Sequence, residues 1–162
     1  MKQPKKKPKI SKANSYQIDQ SIKIEHTNKT SYVCLANGKI LISSISAKDK
    51  KELKLYFREL EKPLIFKLFT FSVLCSKVII GLKPGSVIID QEYSGHSRQI
   101  KSFILQILQI EGIDTEPVIS FSEVGKGSPA HKGAYAALMA KRSDIKITLG
   151  EVLKYYEKVD KK

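Results

Sequence analysis

The chain has 162 residues, an apolar fraction of 41% and a formal net charge of +13. That length and composition suit one domain with a real hydrophobic core, and they exclude a disordered or fibrous chain. The charge points to a polyanionic partner, most often nucleic acid.

The first twelve residues, MKQPKKKPKISK, carry six lysines and no acid, and beyond them 23 basic residues still face 16 acidic ones, a body charge of +7. The composition therefore predicts a basic flexible arm over residues 1–15 and a folded domain over 16–162. Lys5, Lys6 and Lys7 of the arm are candidates for phosphate contacts. The arm lacks an apolar stretch and arginine, and it holds two prolines, so it reads as neither a secretory leader nor a mitochondrial one.

Tyr16 to Glu25 (YQIDQSIKIE) alternates as a strand, with Asp19 inside it. Tyr32 to Ala36 and Ile40 to Ser46 form two more strands around Asn37-Gly38, a strong hairpin signal. These three make an antiparallel meander. Ala47 to Glu61 then takes helical spacing through Leu53, Tyr56, Phe57 and Leu60. Pro63 marks a break before an apolar helix over Leu64–Ile80, in which Lys67 and Lys77 interrupt the run and argue against a membrane span.

Lys83-Pro84-Gly85 stops that helix, and Ser86 to Glu92 reads as a fourth strand ending in two acids, Asp90 and Glu92. At spacing i, i+2 on a strand they share a face. An amphipathic helix over Arg98–Ile110, a fifth strand over Pro117–Val124, a GKGSP loop and a helix over His131–Lys141 follow. Thr148-Leu149-Gly150-Glu151 reads as a capping box opening a last helix to about Lys158. The order predicts an α/β fold with a mixed five-stranded sheet, a three-strand meander plus two parallel strands, and helices on both faces.

Cys34 and Cys75 sit in apolar surroundings without metal-ligand spacing, and they read as small buried hydrophobes of a reduced compartment. The expected location is cytoplasmic. Gly125-Lys126-Gly127-Ser128 lacks the upstream glycine of a phosphate-binding P-loop, so it does not predict an NTPase.

Asp19 and Asp90 are the two aspartates inside apolar-patterned strands. With the first and fourth strands as parallel neighbours they would lie side by side, and a divalent cation would relieve their repulsion. Hard oxygen ligands suit Mg²⁺ or Mn²⁺. Two such ions about 4 Å apart can activate a water and stabilise a leaving oxygen in phosphodiester cleavage. Glu92 would join the pair or hold a bound water.

With its element order, Asp19-Gln20-Ser21 in the first strand, Ile88 to Tyr93 in the fourth and a polar group opening a late helix, the chain resembles the ribonuclease H-like superfamily over about residues 16–158. Within it, the chain looks most like the Asp-Asp-His type of Argonaute, of repair incision nucleases and of small junction resolvases, because His131 stands at the helix after the fifth strand. The resemblance implies a metal-dependent nuclease acting on RNA or DNA, with Asp19, Asp90 and His131 as metal ligands and Glu92 completing the catalytic set. It leaves a fourth ligand open among Asp49, Glu52 and Glu59, and His96 stands as an alternative to His131.

Arg98, Lys101, Lys126 and Lys132 are candidate phosphate contacts. The rival reading is a non-catalytic nucleic-acid-binding protein on the same scaffold; a weaker third is a protein-interaction domain whose charge only keeps it soluble. Junction cutting would want a homodimer for paired cuts, but the sequence shows no interface signature and leaves the oligomeric state open.

Overall fold

A computed structural model describes residues 15–160. The arm and its Lys5, Lys6 and Lys7 lie outside the described residues, apart from Ser15, which is buried beside β1. The described residues form an α/β fold in the order β1 (Tyr16–Ser21), β2 (Ser31–Asn37), β3 (Lys39–Ile45), α1 (Ala47–Glu59), α2 (Pro63–Leu82), β4 (Ser86–Asp90), α3 (Ser97–Ile110), β5 (Val118–Ser122), α4 (Pro129–Ala140), β6 (Ile145–Ile147) and α5 (Leu149–Asp160).

The strands make one mixed sheet in the order β5-β4-β1-β2-β3-β6. β1, β2 and β3 are the expected meander, turned at Gly38, whose φ of 72° suits a residue without Cβ. β1 and β4 are parallel neighbours at the centre, and β5 continues in parallel beyond β4. The five-strand expectation falls short by one: β6 pairs in parallel with β3 at the opposite edge. Its three residues are too few for a period-2 pattern to stand out, and only the partner strand reveals it.

Boundaries moved for local reasons. β1 stops at Ser21 because Ile22 takes a left-handed φ of 62°, which breaks the ladder before Ile24 turns into the core. Pro63 does mark the break between α1 and α2, and it opens α2 itself, since its missing N–H costs nothing in the first turn.

Side-chain alternation splits the core into two layers. Val33, Leu35, Val87 and Ile89 face α2, with α1, α3 and α5 packed around it. Cys34 and Ala36 face the other way, onto Ala130 and Ala134 of α4. Among the described residues α2 alone is long and apolar enough to cross a membrane, and most of it is buried inside this fold. Both cysteines are free and buried, as their apolar settings predicted. Burial holds both thiols protonated, and for Cys34 the nearby Asp19 charge adds to it.

α4 crosses β1, β2 and β3 on its face of the sheet. It sits close because residue 133 is glycine: a Cβ there would stand 2.5 Å from Cys34 Sγ. This close seating carries the start of α4 to the C-terminal end of β1.

Candidate metal centre

β1 and β4 run parallel in register from Tyr16↔Val87 to Ile18↔Ile89. One step further, at the C-terminal ends of both strands, come Asp19 and Asp90, on the face that α4 covers. Parallel pairing thus forces two carboxylates together. The chain then folds back just past β4, where the Glu92 N–H donates to the Asp90 carbonyl at 2.9 Å. That turn brings the Glu92 carboxylate to the other two, and Asp19, Asp90 and Glu92 each offer an oxygen within 4.8 Å of the others.

Each acid is held. Asp19 is buried; its Oδ1 accepts the Gln20 N–H at 2.7 Å and its Oδ2 lies 2.8 Å from His131 Nδ1. Asp90 Oδ1 accepts the Val124 N–H at 2.9 Å, which ties the loop after β5 to the site. Behind the cluster, the Tyr93 hydroxyl accepts from Gln20 Nε2 at 3.3 Å and from the Ile24 N–H at 3.2 Å. This tie fastens the segment carrying Asp19 to the segment carrying Glu92.

The electrostatics are those of crowded acids. Burial raises the Asp19 carboxyl, opposed by the His131 and Gln20 hydrogen bonds and helped by the Asp90 charge. Glu92 is raised to about 8, first by burial, then by its hydrogen bond with Asp90 and the charges of Asp90 and Asp19, with Lys23 opposing. The three carboxylate oxygens stand close enough together that they could hold one cation.

His131 enters through α4. Ser128 caps the helix, its Oγ accepting the His131 N–H at 3.1 Å, and Pro129 fills the first helical position. With Asp19 ionised, Nδ1–H donates to it and Nε2 is the nitrogen left for other work.

An open cleft of about 260 Å³ lies over the cluster, and Glu123, Gly125, Lys126 and His131 complete its wall. Sequence reasoning missed Glu123, which is exposed and stands just past the end of β5. The signal was available, since an acid directly after a strand parallel to β4 emerges at the same end of the sheet.

Of the candidates left open, Asp49 is engaged elsewhere, accepting the Leu149 N–H at 3.1 Å, and neither Glu52 nor Glu59 lines the cleft. α1 packs on α2 and α5 rather than on β1, so it brings no acid to the cluster. His96 precedes α3 and does not line the cleft either. Lys126 lines it, and Lys132 is exposed on α4 beside His131. Arg98 and Lys101 are exposed on α3, which packs on α2 and α5 in the layer opposite α4.

Comparison with known proteins adds no identity to this geometry: no protein-family model, no curated protein and no solved structure matches the chain.

Proposed function

We propose that the protein is a metal-dependent nuclease with a ribonuclease H-like architecture, hydrolysing phosphodiester bonds of RNA or DNA. One observation carries the reading: two adjacent parallel strands bring Asp19 and Asp90 together and the turn after β4 adds Glu92, oxygen to oxygen within 4.8 Å, under an open cleft. Burial first, and then the neighbouring acids, raise the Asp19 and Glu92 carboxyls, so the bare cluster disfavours full ionisation. The donor set is all hard oxygen, which fits Mg²⁺ or Mn²⁺ and not a thiolate-loving metal. A divalent ion bound there would polarise a phosphodiester and make a water more acidic.

The protein's own groups have separable tasks. Asp19 and Asp90 hold the cation, and Glu92 completes its shell. Glu123, at the cleft wall, supplies a further carboxylate toward a second ion. His131 orients Asp19 through Nδ1 and leaves Nε2 to carry a proton at the cleft. Lys126 places an ammonium where a phosphate oxygen would lie. The meander on one side of β1 with β4 and β5 on the other supports the architecture the resemblance implies. The +13 charge supports a polyanionic substrate.

The test is a Mn²⁺ or Mg²⁺ titration followed by thermal unfolding, wild type beside Asp90→Asn, with oligonucleotide cleavage measured on both. Asparagine keeps an acceptor for the Val124 N–H and removes the charge. Saturating metal should stabilise the wild type, by about 2.7 kcal/mol at a hundredfold excess over Kd, and leave the variant unmoved. Wild-type cleavage should disappear in the variant. Cleavage by Asp90→Asn at the wild-type rate overturns the site, while binding without cleavage or metal response in either protein favours a non-catalytic binder.

A further inference from the structure

We infer that a lysine-lined hollow at the far end of α4 is a second phosphate subsite, which grips the backbone of the same nucleic acid about 15 Å from the acid cluster. The inference rests on the nuclease reading for the identity of its ligand. The hollow, about 950 Å³, is walled in part by Lys29, Lys141 and Lys146 and by the hydroxyl-bearing Ser44, Ser46 and Thr148.

Its charge is uncommitted. Among the described residues none of the three lysines makes an ion pair. The one acid of the wall, Asp49, already accepts the Leu149 N–H. Ammonium and hydroxyl donors around a solvent-open hollow are the groups that take phosphate oxygens. Lys141 also occupies a left-handed position, φ 53°, where glycine or asparagine is the usual end of a helix.

Two independent measures place the hollow relative to the metal centre. Strand register runs Ser21↔Tyr32, Tyr32↔Ser44 and Ser44↔Lys146, so these residues form one row on one face of the sheet. Ser21 is two residues beyond Asp19 and therefore shares its face. Three strand spacings of 4.7–4.9 Å put Lys146 roughly 14–15 Å from β1. Along the helix, His131 to Lys141 is ten residues, about 15 Å at 1.5 Å per residue. The exposed strip between them carries Lys132, Tyr135 and Met139, and Tyr135 and Met139 are 57% and 60% exposed. Lysines at both ends with an exposed ring between them suit a nucleic-acid strand, whose bases stack on aromatic faces. At 3.4 Å of rise per nucleotide, the span corresponds to about four stacked nucleotides.

Binding of a fluorescent twelve-nucleotide oligomer, single-stranded and duplex, is measured across a salt series in chelator. Wild type is compared with Lys141→Gln/Lys146→Gln and with Lys154→Gln/Lys158→Gln, a control on the exposed side of α5. The hollow variant should bind about tenfold more weakly at 0.1 M salt and lose about two from its log–log salt slope, roughly one per lysine. A dinucleotide, too short to span both sites, should bind wild type far more weakly than the oligomer does. Equal oligomer binding by hollow and control variants overturns the subsite while the metal titration leaves the nuclease reading intact. A mononucleotide bound as tightly as the oligomer, and lost with the two lysines, overturns it in favour of a free-nucleotide site. No oligomer binding by wild type in chelator overturns the subsite, and the metal titration with its cleavage assay decides the nuclease reading separately.

Discussion

His131 Nδ1 and Asp19 Oδ2 lie 2.8 Å apart although 112 positions separate them in the chain. The contact joins the start of α4 to the end of β1 and gives the buried Asp19 a donor on its second oxygen, the first being served by Gln20. It also separates the two ring nitrogens, one spent on orientation and one free.

On the nuclease reading, removing the imidazole should affect both position and proton transfer. His131→Ala should lower kcat by about a hundredfold, the usual scale for a general acid–base group. His131→Asn, which can still donate to Asp19, should recover metal affinity and stability but not kcat. Cleavage kinetics with a parallel Mn²⁺ titration would separate the two effects. Full kcat in His131→Ala would remove the residue from the chemistry.

Glu92 should impose a pH dependence on the metal-free fold. Its carboxyl is raised to about 8 from 4.5, so between those values the folded chain keeps a proton that the unfolded chain releases. Stability must then fall as pH rises through that window. Glu92→Gln should flatten this slope and, at pH 8.5 in chelator, add on the order of 1 kcal/mol. Denaturant titrations from pH 5.5 to 8.5 would read the effect, and identical slopes in both proteins would refute it. With metal present the wild-type slope should weaken, because the cation displaces the proton.

Gly133 sets the distance between α4 and the sheet. An added Cβ would meet the buried Cys34 Sγ at 2.5 Å, and Ile40 Cγ2, on an exposed side chain, at 3.8 Å. Gly133→Ala should cost about 1–3 kcal/mol through overpacking, despite the better helix propensity of alanine. Because α4 carries His131, the variant should also cleave more slowly under conditions where it remains folded. Pairing it with Cys34→Ala, which removes the clashing sulfur, should restore part of both; an additive double variant would count against the contact.

Lys50 is a wholly buried ammonium. Its Nζ donates to the His26 carbonyl at 2.7 Å and to Ser31 Oγ at 2.8 Å, while Ser31 Oγ donates to the Ile22 carbonyl at 2.7 Å. This chain pins the β1–β2 connection just beyond Asp19. Burial lowers Lys50 to about 8, with Glu25 opposing. Between about 8 and 10.5 the unfolded chain holds the proton that the fold sheds, so stability gains with rising pH there. Lys50→Met should remove that gain and cost about 1–3 kcal/mol at pH 7 by stranding the two acceptors. A variant as stable as wild type at pH 7 would show the network to be dispensable.

Much of this molecule was legible in its sequence because the relevant signals are local. Periodicity, apolar runs and cap or break residues located the first five strands and all five helices, Asn37-Gly38 marked the hairpin, and acids within apolar runs singled out Asp19 and Asp90. Thr148 also does what its motif predicts, its Oγ1 accepting the Glu151 N–H at 3.2 Å.

Tertiary structure decided what depends on pairing across the chain. β6 is three residues long and exists through its ladder with β3. Glu123 joins the cleft only because β5 runs parallel to β4, and α1 contributes no acid because it packs away from β1. Glu92 reaches Asp90 by a turn beyond the strand rather than by strand alternation. Composition and periodicity determine which segments must be buried and in what form; the coincidence of side chains distant in sequence is set by strand register and helix seating, which no local pattern encodes.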